Sequence, residues 1–142
     1  MNYSILKSDV LIIGSGGAGL RTAIELYDKN LDVLVVGKCK IRDAHTIMAT
    51  GGINAALGNM DPQDSWRLHA ADTIRDGSFI NDSIAVRMLC KNAPNAIKEL
   101  SKWETNFHKE KNGKITQRFF GAATYRRACF AGDHTGREIL NI

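Results

Sequence analysis

No run of about 18 consecutive apolar residues occurs in the 142-residue chain, so no segment reads as a membrane-spanning helix. The opening "MNYSILKSDV" lacks a basic-then-apolar export signal and a twin arginine, which sets a cytoplasmic location as the expectation. No C-x-x-C pair is present. Cys39, Cys90 and Cys129 lie far apart, fit neither an iron–sulfur nor a zinc spacing, and by their odd number argue against a closed disulfide framework. They read as reduced, mostly packed thiols, and no metal site is expected. Repeats and low-complexity tracts are absent too. The net charge of +4 comes without aromatics interleaved among the basic residues of "KCKIR" and "KEKNGK". Nucleic acid is therefore not an expected partner, and a solvated face or an acidic partner accounts for the charge.

What is present suffices for one ordinary core, at 44% hydrophobic residues, and for one domain. "SDVLIIG" reads as a short, fully buried parallel strand ending in glycine. "GSGGAG" follows, with Gly14, Gly16 and Gly19 in G-x-G-x-x-G spacing. Next comes a helix whose apolar positions are Leu20, Ala23, Ile24 and Tyr27, and then a second buried strand in "LDVLVVG". Strand, glycine turn, helix and strand make a βαβ unit with the dinucleotide fingerprint in its required place. Gly14 permits the tight turn, Gly16 admits a pyrophosphate to the backbone, and Gly19 lets the helix pack closely. The helix N-terminus then faces the phosphates with unpaired N–H groups. A glycine-rich turn without a ligand is the plain alternative. The acidic residue that commonly ends the second strand is missing, and Gly37-Lys38 stands there instead.

Further along, "DPQDSWRLHAADTIRDG" reads as a helix with Asp61 as N-cap, Pro62 in its first turn and Gly77 at its end. Trp66, Ala70 and Ile74 form its apolar stripe, and His69 reads as a surface or packed histidine. "NDSIAVRMLCKNAPNAIKELSKW" suggests two short helices, the second opening at Pro94. Asn112-Gly113 marks a hairpin, on which His108 has no assigned role. "AGDHTGREIL" begins a last helix capped by Asp133 or Thr135.

Four segments together, "GSGGAGLRTAIE", the "GK" after the second strand, "AHTIMATGGINAALGN" and "QRFFGAATYRRACFAGDHTGREIL", resemble the flavoprotein subunit of succinate dehydrogenases and fumarate reductases, the second family of FAD-dependent oxidoreductases. The resemblance covers essentially the whole chain. It implies an α/β, Rossmann-like FAD-binding domain, incomplete without later segments and a capping domain. Residues 1–142 would be the N-terminal part of that domain, or one chain of a split enzyme. The arginines and histidines of the dicarboxylate site would then lie beyond Ile142, so no catalytic residue is assigned here and the fragment alone is expected to be inactive.

The same resemblance assigns Gly14, Ser15, Gly16, Gly17, Ala18, Gly19, Gly37, Lys38, His45, Thr46, Thr50, Gly51 and Gly52 to FAD. It places Phe120 and Gly121 by the substrate. His45, in "AHT", would be joined covalently to the 8α carbon of the isoalloxazine; a surface histidine in a turn is the plain alternative. Hydride would pass between a C4-dicarboxylate and the flavin. Electrons would be exchanged with quinone through an iron–sulfur subunit, while membrane anchor subunits would hold the assembly on the cytoplasmic face of the inner membrane. Three departures stand out: Thr50 replaces a usual Gln or Glu, Ala122 replaces a second glycine, and "TGREIL" leans toward the L-aspartate oxidases. An oxidase-like soluble flavoenzyme and a non-catalytic nucleotide-binding fragment are the rival readings.

Overall fold

The computed structural model describes residues 4–38, 40 and 43–142. Cys39 and two more residues of "KCKIR" lie outside them. The chain divides into two compact units, Met1–Met48 and Ala49–Ile142.

In the first unit, β1 (Val10–Ile13) and β2 (Val33–Val36) pair in parallel, Val10 opposite Val33 and Ile13 opposite Val36. Helix α1 (Gly17–Tyr27) connects them and packs on both. This is the expected βαβ unit. Its strands are not fully buried, however. Val10 and Ile12 are half-buried, whereas Leu11 is 56% and Ile13 86% exposed. A helix covers one face of a sheet, and strand side chains alternate between faces, so only alternate residues gain cover. Tyr27, placed on the helix stripe from its spacing, is likewise exposed, while Leu20, Ala23 and Leu26 are half-buried. Arg21, Glu25 and Lys29 line the outer face with i,i+4 ion pairs.

The second unit is built differently. β3 (Ile53–Asn54), β4 (Gln117–Arg118) and β5 (Ala128–Cys129) form an antiparallel sheet in the order β3-β5-β4. Helices α2 (Trp66–Asp76) and α3 (Ser83–Lys102) pack on each other, and α4 (Thr135–Asn141) follows β5. The core gathers Ala55, Ile97, Phe107 and Cys129, with Ile53, Leu57, Ala93, Leu100 and Ile115 packed against them.

Three boundaries depart from expectation. Helix α2 starts at Trp66 because Ser65 caps it, its Oγ accepting from the Leu68 N–H at 3.3 Å. Asp61 instead closes a turn and spends its carboxylate on Arg126. Pro94 does not open a helix; α3 runs through it for 20 residues. A proline withholds one N–H and crowds the carbonyl four residues back. Here the continuous stripe Val86, Cys90, Ala93, Ile97 and Leu100 faces inward on both sides of it, and that burial outweighs one lost bond. His134, not Asp133 or Thr135, stands at the cap position of α4, because the Thr135 hydroxyl accepts from the Ala131 N–H instead. The hairpin is where the Asn112-Gly113 signal put it, with Lys109 bridged to Ile115 and the Asn112 Oδ1 accepting from Lys114 N–H.

Candidate functional site

Each unit holds part of the residue set singled out in the sequence. In the first, the turn after β1 is fixed by the Gly14 N–H donating to the Val36 carbonyl at 2.8 Å. Gly14 has a φ of +121°, a conformation that L side chains rarely adopt. A Cβ on Gly19 would overlap the Gly14 carbonyl oxygen, so α1 can start this close to β1 only with glycine there. Gly16 precedes α1 without any side-chain cap. The hydroxyl of Thr46, 29 positions on, accepts from the Gly17 N–H at 3.0 Å. The Ala18 and Gly19 N–H groups donate to no acceptor among the described residues. A β-carbon on Gly14 would meet nothing within 4 Å, and one on Gly16 would meet only the Thr46 Oγ1 at 3.4 Å. An open glycine backbone at an uncapped helix N-terminus, with free N–H groups, fits a diphosphate.

The fold thus brings Thr46 to the glycine turn, which the sequence spacing alone did not show. His45 precedes it in a 3-10 turn over His45–Met48 and is exposed. Gly37 and Lys38 are exposed after β2.

In the second unit, Thr50, Gly51 and Gly52 lead into β3. A Cβ on Gly51 would come within 2.6 Å of the Phe120 ring, which therefore lies directly against it. Phe120 is 53% exposed, and Gly121 beside it has a φ of +63°. Gly52, at φ +99°, sits so close to β5 that a Cβ would overlap the Cys129 carbonyl oxygen. The residues assigned to cofactor (Gly51) and to substrate (Phe120) are thus neighbours.

The segment between β4 and β5, which carries Phe120 and Gly121, is tied down by a buried ionic network that the sequence reading missed. Arg127, 1% exposed, donates from Nε and Nη2 to both carboxylate oxygens of Asp64 at 2.8 and 2.7 Å, and from Nη1 to Asp72 at 2.6 Å. Asp72 also accepts from the N–H and hydroxyl of Thr124, at 3.0 and 2.8 Å, and from Arg75. Burial by itself would raise the Asp72 carboxyl, but the bonds from Arg127 and Thr124 outweigh it and hold the group at about 2. Beside this network His69 is buried; burial first, then the charge of Arg127, pushes its imidazole below the ordinary histidine range. Two signals were available in the sequence. Two adjacent arginines precede the apolar "ACFA", and an aspartate-rich stretch lies upstream; a cation entering a buried strand must meet acids somewhere. Cys90 and Cys129 are buried free thiols, as read. Burial drives the Cys129 thiol up to about 12, which leaves it unreactive.

Residues 9–142 match the family described as the FAD binding domain. The chain belongs to this FAD-binding family. Among its relatives, a fumarate reductase (CoM/CoB) subunit of Methanothermobacter marburgensis is 44% identical over 141 residues, 99% of this chain and 26% of that protein. The succinate dehydrogenase flavoprotein subunit of Rickettsia bellii is 41% identical over 150 residues, 99% of this chain and 25% of that one. Among solved structures, the Mycobacterium smegmatis Sdh1 in complex with UQ1 superposes with a TM-score of 0.90 at 44% identity, covering 94% of this chain and 22% of that chain. A quinol-fumarate reductase with menaquinol molecules gives 0.85 at 30% identity, covering 94% of this chain and 23% of that one. The chain therefore spans about a quarter of the length of the curated relatives it matches. The FAD-binding α/β fold and the likeness to succinate dehydrogenase and fumarate reductase flavoproteins are as the sequence indicated. None of the described helices is long and apolar enough to cross a membrane.

Proposed function

We propose that this chain is the FAD-carrying, N-terminal portion of a succinate dehydrogenase or fumarate reductase flavoprotein. FAD, when bound, supplies a two-electron acceptor and donor for hydride exchange with a C4-dicarboxylate such as succinate or fumarate. Electrons would pass to or from quinone through an iron–sulfur subunit, with anchor subunits keeping the assembly peripheral on the cytoplasmic face of the membrane. The capping domain and the arginines and histidines for the dicarboxylate would come from sequence outside these 142 residues.

The observation that supports this reading most is the juncture of the glycine turn with Thr46. Gly14, Ser15, Gly16, Gly17, Ala18 and Gly19 would take the diphosphate through backbone N–H groups, with the Thr46 hydroxyl alongside. Gly37 and Lys38 would serve the ribose in place of the usual carboxylate. His45, adjacent to Thr46 and exposed, would be the covalent anchor of the flavin. In the second unit, Thr50, Gly51 and Gly52 would meet the flavin, and Phe120 and Gly121 the substrate. Raising the flavin potential is what covalent attachment contributes to succinate oxidation.

The test is the complete flavoprotein expressed with ample FAD, precipitated in acid and run on a denaturing gel. Yellow fluorescence should stay with the polypeptide, and His45→Ser should bind FAD yet release it on denaturation. Complete release from the parent would sink the covalent role. It would favour the rival suggested by "TGREIL", an L-aspartate oxidase-like enzyme holding FAD without a bond.

A further inference from the structure

The carbonyls of residues 49, 50 and 51 accept hydrogen bonds from elsewhere in the second unit. The Ala49 carbonyl accepts from the Gly136 N–H at 2.8 Å. The Thr50 and Gly51 carbonyls both accept from Arg118 Nη2, at 3.5 and 3.3 Å. A trans peptide points its N–H opposite to its carbonyl, and no cis peptide occurs among the described residues. The N–H groups of Thr50, Gly51 and Gly52 therefore face away from Gly136 and Arg118. None of the three donates to an acceptor among the described residues. Three successive donors on one strip are thus open to an acceptor edge. Gly52 is locked against β5, and the Phe120 ring covers Gly51.

Arg118 is itself held in place. Its guanidinium lies over the Phe130 ring at 4.2 Å, and that ring packs in turn against His108, tilted by 37° with centroids 4.7 Å apart. A cation at the carbonyl end of a peptide draws electron density toward itself and leaves the N–H at the other end a stronger donor. Arg118 stands at the carbonyl end of two consecutive peptides, those whose N–H groups belong to Gly51 and Gly52.

We propose that Arg118 is a positioning residue that turns the Gly51 and Gly52 amides into charge-assisted donors toward the flavin ring, and so raises its reduction potential. This rests on the FAD reading above. Reduction of the ring adds a hydride, which is two electrons and one proton, so the reduced ring carries one more negative charge than the oxidised one. Donors sharpened by a nearby cation stabilise the charged form more, as preorganised dipoles do wherever charge develops. Arg118 touches neither flavin nor substrate in this assignment. Its effect travels through the backbone.

The experiment measures flavin content and midpoint potential of the FAD-loaded protein against R118Q and R118K. R118Q should retain FAD and shift its oxidised-to-reduced ratio at fixed ambient potential about tenfold toward oxidised, about 30 mV lower for a two-electron couple. R118K keeps the charge without the planar fork and should lie between R118Q and the parent. A parental potential in R118Q with full flavin content overturns the proposal while leaving the FAD reading intact. Equal shifts in R118Q and R118K also overturn it, since charge would then not be the agent. If R118Q loses its flavin, R118K decides: a shift smaller than about tenfold below the parent supports the proposal, and a parental potential or a shift of about tenfold or more overturns it. A complete flavoprotein that takes up no FAD removes the underlying reading and this assignment with it.

Discussion

Residues 1–48 and 49–142 stand as separate compact units, and they are held together by different means. The first has the regular motif, two parallel four-residue strands around an 11-residue helix, yet none of its described residues is buried. The second has strands of only two residues each, yet it encloses the core around Ile97, Phe107 and Cys129 and the fully buried Arg127. A two-stranded sheet is marginal in water by itself, whatever its sequence pattern. In the first unit the shape depends on backbone fit: Gly14 in an unusual conformation, Gly19 with no room for a β-carbon, Gly17 tied to Thr46. In the second it depends on side chains meeting across long stretches of sequence. A unit that relies on backbone fit tolerates few substitutions at its turn but leaves its N–H groups open to a ligand. One that relies on side chains can carry a loop in a fixed place.

Removing the guanidinium of Arg127 should break this contrast most severely. Arg127→Ala leaves Asp64 buried without its cation and Asp72 with Arg75 alone, a kind of loss that typically costs about 3–5 kcal/mol. Urea unfolding of the second unit should show a midpoint far below the parent's. Arg126→Ala, which breaks the neighbouring pair of a 40%-exposed arginine with Asp61, should move it far less. Comparable shifts in the two variants would mean that burial of Arg127 does not set its importance.

Acid should separate the units next. The Asp72 carboxyl is held at about 2 in the folded protein against 3.8 for the free group. A depressed carboxylate contributes stability that is complete above about pH 4 and lost as pH falls toward 2, because the unfolded chain takes up the proton first. His69, kept neutral by burial, acts in the same direction at milder acidity, since unfolding lets it charge below its ordinary range near 6.5. Unfolding followed by residue-resolved amide exchange from pH 7 to pH 2 should show residues 49–142 losing protection progressively. Asp72→Asn should flatten the lower part of that curve, and an unchanged curve would remove the network from the account.

How much of this was legible beforehand follows the same division. The βαβ unit showed itself because β-branched runs, a glycine spacing and a helical apolar period are all local signals. Strands as short as Gln117–Arg118 have no period to read, and β3 meets β5 across more than seventy residues, Ile53 opposite Cys129. Ser65 beat Asp61 as the cap of α2 because Asp61 was needed by Arg126, a partner 65 positions away. Pro94 misled for a similar reason: its local cost is plain in the sequence, and the burial of Cys90 and Ile97 that outweighs it is not. In the candidate site, the glycine turn was legible from its spacing between two strands. Thr46 against Gly17 and Arg118 beneath residues 50 and 51 were not, since each contact depends on two distant segments arriving together.

The smallest effect expected is the most direct probe of the first unit. Thr46→Val keeps the shape of the side chain and deletes the hydroxyl that accepts from the Gly17 N–H. A part-buried bond of this kind is worth about 1 kcal/mol net, roughly a fivefold change in an equilibrium. Without FAD, the turn at residues 14–17 should exchange its amide hydrogens about fivefold faster in Thr46→Val, and residues 49–142 should be unaffected. Thr46→Ser retains the acceptor and should stay close to the parent. With FAD, the two roles of Thr46 diverge. If the hydroxyl only braces the turn, a bound diphosphate takes over the Gly17 N–H, and the Val variant recovers parental protection. If the hydroxyl also binds the diphosphate, FAD affinity in Thr46→Val falls by a similar factor and protection stays low. The arrangement of an uncapped helix N-terminus with a hydroxyl beside it favours the second outcome, because Thr46 can accept from Gly17 and still donate its own proton to a phosphate oxygen. Equal affinities in parent, Ser and Val forms would restrict Thr46 to bracing and leave the phosphate to the glycine backbone alone.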